Sequence, residues 1–165
     1  MTAPARDTLP VVVFDLDSTL ADTRHRREHL PIGATCPADW TGYHVHCLGD
    51  RPVLGTIALV QLLHPHHRIV IVTARPDETA VRANTAAWLV AQDVPHDGVI
   101  FLPLDETRPP AEWKAETVEK LRADLGDVVL AVDDWGPNGW AIEATGTPFL
   151  HVARPGADAP KTPGI

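Results

Sequence analysis

Val11-Val12-Val13-Phe14-Asp15-Leu16-Asp17-Ser18-Thr19-Leu20 is the stretch on which the reading of this 165-residue chain turns. Four apolar residues in a row, three of them β-branched, predict a strand buried on both faces. Two carboxylates, Asp15 and Asp17, arrive where that strand must end, and the hydroxyls of Ser18 and Thr19 follow directly. Delivering acid to the end of a buried strand is costly unless a cation or a substrate pairs the charge. In an open parallel sheet, ligands bind outside the carboxyl ends of the strands. The remaining elements are therefore expected to bring their functional groups to this same edge.

Outward from this strand, the pattern alternates. Pro52 to Leu63 predicts an amphipathic helix, and Arg68 to Thr73 a second buried strand, with Ala74-Arg75-Pro76 as a turn. A helix opening at Asp77 or Glu78 and a short strand over Val99 to Leu102 follow. Ala111 to Leu125 predicts a helix stopped by Gly126, and Asp127 to Val132 a strand that runs into Asp133-Asp134. Trp135 to Asn138 turns, Gly139 to Ala144 makes a short helix, and Gly146 to Val152 a last strand. Strands alternating with helices predict an α/β fold, a doubly wound (Rossmann-like) parallel sheet. The segment from about residue 21 to 50 lacks a clean period and is longer than a strand crossover needs. It is expected to be a small cap insertion after the first strand, with a short helix over Asp22 to His29. The domain is expected to span residues 11–153, with residues 1–10 and 154–165 as flexible tails.

A net charge of −8 argues against a purely electrostatic nucleic-acid binder, which needs clustered Lys and Arg. It leaves room for an enzyme that holds one nucleotide or one strand end with a few local cations. Cys36 and Cys47 form neither a disulfide framework nor a CxxC pair, which points to the reducing cytoplasm. No apolar run has the length of a membrane span, and no signal-peptide core is expected.

The polar groups at successive strand ends are Asp15 and Asp17, Thr73, and Asp133 with Asp134, while Lys114 sits at the start of the helix feeding the fourth strand. Carboxylates converging on one edge repel, so a divalent cation is implied, and an all-oxygen set favours Mg²⁺ over zinc. Mg²⁺ with a lysine and a hydroxyl suits phosphate oxygens, leaving one carboxylate as nucleophile and another as general acid. Each residue alone also has a plain structural reading: solvated strand-end acids, or a solvated helix lysine. Arg75 divides between a phosphate contact and a helix-start salt bridge.

Asp15-Leu16-Asp17-Ser18-Thr19 resembles the DxDx(T/V) signature of haloacid dehalogenase-like (HAD) phosphatases, and Thr73, Lys114 and Asp133-Asp134 fall where that family's further motifs belong. The resemblance implies that Asp15 attacks phosphorus to form an aspartyl-phosphate, and that Asp17 protonates the leaving oxygen and then activates water. It implies phosphate binding by Thr73, Ala74, Arg75 and Lys114. It also implies Mg²⁺ held by Asp15, the carbonyl of Asp17, and Asp133 or Asp134. Ser18 stands where this signature usually has glycine. Ile71-Val72-Thr73-Ala74-Arg75, Glu112-Trp113-Lys114, and an Asp133-Asp134 pair beginning nineteen residues after Lys114 (133 − 114) are similar to the 3′-phosphatase domain of phage polynucleotide kinase-phosphatase. The implied substrate is a nucleotide or the 3′-phosphate end of a nucleic acid, with another small metabolite as the alternative.

A phospho-receiving regulatory module without turnover uses similar residues. However, the third strand here ends in Pro103 and Leu104 rather than an acceptor aspartate, and Asp17 supplies an acid–base group that a long-lived phosphoryl switch would lack. In the insertion, Arg24, His25 and Arg26 are candidate substrate contacts, and Trp40 and Tyr43 candidates to stack on a base. Cys36, His44, His46 and Cys47 match no common structural zinc spacing, and a polar lid is the better reading.

Overall fold

A computed structural model describes residues 5–153. In chain order its main elements are β1 (Val11–Phe14), β2 (Ala21–Asp22), α1 (Thr41–His44), β3 (Arg51–Pro52), α2 (Leu54–Leu63) and β4 (Arg68–Pro76). There follow α3 (Thr79–Ala91), β5 (Gly98–Leu102), α4 (Pro110–Leu125), β6 (Val128–Asp133), α5 (Gly136–Glu143) and β7 (Phe149–His151). Five strands form one parallel sheet in the order β5-β4-β1-β6-β7. The chain winds outward from β1 through β4 to β5, then returns to β6 on the other side of β1. That reversal opens a crevice at the carboxyl end of β1, where such sheets bind ligands.

Alternation within β1 explains why its apolar run is unbroken. Val12 and Phe14 pack into one core with Ile57 and Val60 of α2 and Trp88 and Leu89 of α3. Val11 and Val13 pack into a second core with Trp113, Val118 and Leu121 of α4 and Ile142 of α5. A central strand of a doubly wound sheet needs hydrophobic side chains on both faces, and this one has them. Gly139 lets α5 lie close against β7: a Cβ there would fall 2.0 Å from the Phe149 ring.

The structure departs from expectation in several places. Ala74-Arg75-Pro76 is no turn; it continues β4, with an irregular register against β5 between Thr73 and Pro76. Proline is tolerated at such a terminal irregularity because no ladder donor is needed there. Asp22 to His29 contains no α-helix; Arg24–His29 is a 3₁₀ segment. Trp135 to Asn138 supplies the start of α5, with Pro137 in its first turn, where a missing N–H costs nothing. The short antiparallel pair β2–β3 was not anticipated, and it closes the base of the insertion. Part of the expected N-terminal tail is fastened down: Arg6 donates to both carboxylate oxygens of Asp97 (2.6 and 2.7 Å) and to the carbonyl of His64 (2.7 Å). The rest of that tail, residues 1–4, and the C-terminal tail, residues 154–165, lie outside the described residues. No helix among the described residues is long and apolar enough to cross a membrane.

Candidate active site

Asp15 directly follows β1, and its N–H still pairs with the carbonyl of Val132 on β6 (2.8 Å). The next residues turn sharply: Leu20 and Ala21 both donate to the carbonyl of Leu16, and Ser18 donates to that of Ala21. Ser18 pays for this turn with φ 69°, in the left-handed region where glycine is at ease. The turn brings Thr19 back under Asp15, whose Oδ2 accepts from the Thr19 hydroxyl at 3.0 Å. Lys114, in the second turn of α4, donates to Asp15 Oδ1 at 2.5 Å and to Asp133 Oδ2 at 2.7 Å. Asp133 is oriented in turn by the N–H of Trp135 (2.8 Å) and the side-chain amide of Asn138 (3.0 Å).

Asp15, Asp133 and Asp134, all buried, each offer a carboxylate oxygen within 4.8 Å of the others. Lys114 pairs with two of these three acids, Asp15 and Asp133. Burial pushes the Asp15 carboxyl up to about 7; Lys114 pulls it back, and Asp133 and Asp134 add to the rise. For Lys114, burial works against the charged form, but Asp133 and Asp15 override it and hold the ammonium above its ordinary value. A hard divalent cation fits this all-oxygen, buried set of three carboxylates.

Two residues on, Asp17 belongs to a different arrangement. Its Oδ1 accepts from Arg26 at 2.5 Å and from Arg75 at 2.6 Å. The same two arginine nitrogens reach Asp50 Oδ2, at 2.9 and 3.1 Å. Two acids and two guanidiniums alternate in a ring of zero net charge. Burial pushes the Asp17 carboxyl up, but Arg75 and Arg26 beside it hold it well below the usual carboxylate range. Burial pushes the neighbouring His44 imidazole down to about 3. That ring is neutral, and its Nδ1 lies 2.9 Å from Arg26 as an acceptor.

The sequence-predicted residues thus separate into groups. Asp15, Lys114, Asp133 and Asp134 converge. Thr73, expected at a strand end, lies within β4 where its register against β5 turns irregular; it is fully buried and its hydroxyl accepts the N–H of Arg75 at 3.3 Å, while Ala74 beside it is half-buried. The Arg75 guanidinium is wholly buried, spent on Asp17, Asp50 and the hydroxyl of Thr85 (2.8 Å). In the insertion, Arg24 pairs outward with Asp22, and His25 meets Asp50 at 2.8 Å. Tyr43 is buried with its ring 4.3 Å from the Arg26 guanidinium, and half-buried Trp40 packs edge-on against Tyr43. Cys36 is exposed and Cys47 buried. Sequence reasoning missed Asp50, Thr85 and Asn138, and read His44 only as part of a polar lid. Only Asn138 left a signal, five residues after Asp133 in the first turn of a helix.

No protein-family model matches the chain, and no curated protein does. Solved structures do. A chain of the Pnkp1/Rnl/Hen1 RNA repair complex superposes with a TM-score of 0.71 at 18% identity, over 92% of this chain and 45% of that one. This protein therefore spans less than half the length of that match. A haloacid dehalogenase-like hydrolase from Streptococcus pneumoniae matches with a TM-score of 0.62 at 14% identity, over 88% and 85% of the two chains. A HAD-superfamily hydrolase from Geobacter sulfurreducens gives 0.58 at 15% identity, over 87% of each. The chain has the α/β fold of the haloacid dehalogenase-like hydrolases.

Proposed function

We propose that this protein is a Mg²⁺-dependent phosphomonoesterase in which Asp15 is the nucleophile. The observation that carries this reading is the fixing of Asp15: both carboxylate oxygens are held, one by Lys114 and one by Thr19, at the crevice of the sheet. A nucleophile held in one orientation reduces the entropy cost of in-line attack. Asp15 attacks phosphorus, the ester oxygen departs, and the resulting aspartyl-phosphate is hydrolysed by water. Asp17 gives a proton to the departing oxygen and takes one from the attacking water. Thr73, the N–H groups beside Ala74, Lys114 and Arg75 bind the phosphoryl oxygens, and Arg26 joins them from the insertion. Asp15, Asp133, Asp134 and the carbonyl of Asp17 would hold Mg²⁺, which supplies charge neutralisation at the phosphoryl group.

For the substrate we favour a nucleotide or the 3′-phosphate end of a nucleic acid. The match to a chain of an RNA repair complex supports this choice over another small metabolite. The experiment is a panel of nucleoside 3′- and 5′-monophosphates, 3′-phosphorylated oligonucleotides and sugar phosphates, with and without Mg²⁺. Turnover on nucleotide or oligonucleotide that vanishes in Asp15→Asn and on chelation is expected. Turnover that persists in Asp15→Asn refutes the mechanism, and turnover confined to sugar phosphates refutes the substrate.

A further inference from the structure

The ring of Asp17, Arg26, Arg75 and Asp50 is not symmetric. Asp17 is its open side, with 24% of its side chain exposed, whereas Asp50 is the closed side with none. Asp50 accepts from Arg26 through both oxygens, at 2.9 Å from Nε to Oδ1 and 2.9 Å from Nη2 to Oδ2. This is the two-pronged geometry that fixes a guanidinium plane. The same Oδ2 holds Nη2 of Arg75 at 3.1 Å. Asp50 is itself anchored, its carbonyl accepting from the indole Nε1 of Trp88 on α3 at 2.8 Å. Nearby, Asn84 of α3 donates to the carbonyl of Val45 at 2.8 Å, so the return limb of the insertion is tied to the body of the domain at two points.

We propose that Asp50 is a positioning residue that holds Arg26 of the insertion and Arg75 of β4 in a shared orientation, so that both guanidiniums face an oxyanion arriving on the Asp17 side. Two arginines sharing only Asp17 would repel and separate. With Asp50 behind them they stay together when an anion draws them from Asp17. The role rests on the phosphomonoesterase reading, but oxyanion binding measures it without turnover.

The test is calorimetric titration of tungstate, a phosphate-like oxyanion, into the Mg²⁺-loaded protein and its Asp50→Asn variant, with Mg²⁺ titrated separately. Asp50→Asn is expected to weaken tungstate by about tenfold or more. Mg²⁺ affinity should stay unchanged, and KM should rise more than kcat falls. Trp88→Phe, which removes the donor to the Asp50 carbonyl together with part of a core ring, should weaken tungstate in the same direction by less and serves if Asp50→Asn does not fold. Tungstate affinity unchanged in the variants, or lost in step with Mg²⁺ affinity, overturns the role of Asp50. Wild-type protein that binds no tungstate overturns it as well. Wild-type protein that binds tungstate but turns over no phosphomonoester overturns the phosphatase reading alone.

Discussion

Replacing the proposed nucleophile should stabilise the metal-free protein at alkaline pH. Asp15 is raised from 3.8 to about 7 by burial and by Asp133 and Asp134, against the pull of Lys114. A group whose folded value lies above its unfolded value stabilises the fold below the unfolded value and loses that contribution as pH rises through the folded one. A rise of this size corresponds to about 4 kcal/mol in all, of which roughly 3 kcal/mol is lost between pH 5 and pH 8. Asp15→Asn removes the titrating group and keeps an acceptor for Lys114. In urea denaturation with chelator, the variant should exceed wild type at pH 8 by about 2 kcal/mol, a midpoint shift of about 1 M urea. At pH 5 the order should close or reverse. Added Mg²⁺ should restore wild type at pH 8 and leave the variant nearly unmoved. A variant no more stable than wild type at pH 8 without metal would refute the electrostatic account of the cluster.

Lys114→Met strips the ammonium from buried Asp15 and Asp133 and should cost about 3–5 kcal/mol in denaturant titrations, part of it recovered by Mg²⁺. Arg75→Lys cannot span Asp17, Asp50 and Thr85 at once, and steady-state kinetics should show KM raised about tenfold or more. Burial lowers His44 to about 3, so its contribution is intact above about pH 6.5 and lost as pH falls toward 3. His44→Gln should therefore gain about 2 kcal/mol relative to wild type between pH 8 and pH 5. Mg²⁺ binding at pH 7 should release roughly half a proton, measured by calorimetry in buffers of different ionisation enthalpy, and that release should vanish in Asp15→Asn.

The sheet and the Asp15 cluster were legible in the sequence because their signals are local. The apolar run Val11–Phe14 needs only counting, and the acids at the ends of β1 and β6 follow from strand ends. Lys114 was legible through its register before β6. The arginine ring was not, because each of its contacts is non-local. Arg26 sits in the run Arg24-His25-Arg26-Arg27, whose first three residues read as candidate substrate contacts, and only the fold puts it against Asp50 twenty-four residues later (50 − 26). Nothing in an aperiodic insertion foretells such a pairing. Arg75 was expected in a turn because proline follows it; as part of β4 its side chain is carried inward, and its donors are met by carboxylates. The two-residue strands β2 and β3 are too short for alternation to show.

Asp15 and Asp17 leave the same strand end, two residues apart, and their surroundings drive them in opposite directions. Sites that assign different tasks to two carboxylates commonly do so by this separation. Here the resting order is the reverse of what the proposed reaction requires: the nucleophile must be ionised, and the acid must carry a proton. The charge balance accounts for the reversal. Asp15 is raised by burial and by Asp133 and Asp134 beside it, so a divalent cation among the three lowers it. Asp17 lies in a ring already neutral, so only an anion that takes the arginines from it can let it rise. The cluster calls for one ligand and the ring for the other, and a phosphomonoester with Mg²⁺ provides both. A free acid of ordinary pKa at either position would need neither, and the separation of two adjacent aspartates would have no cause in the chemistry.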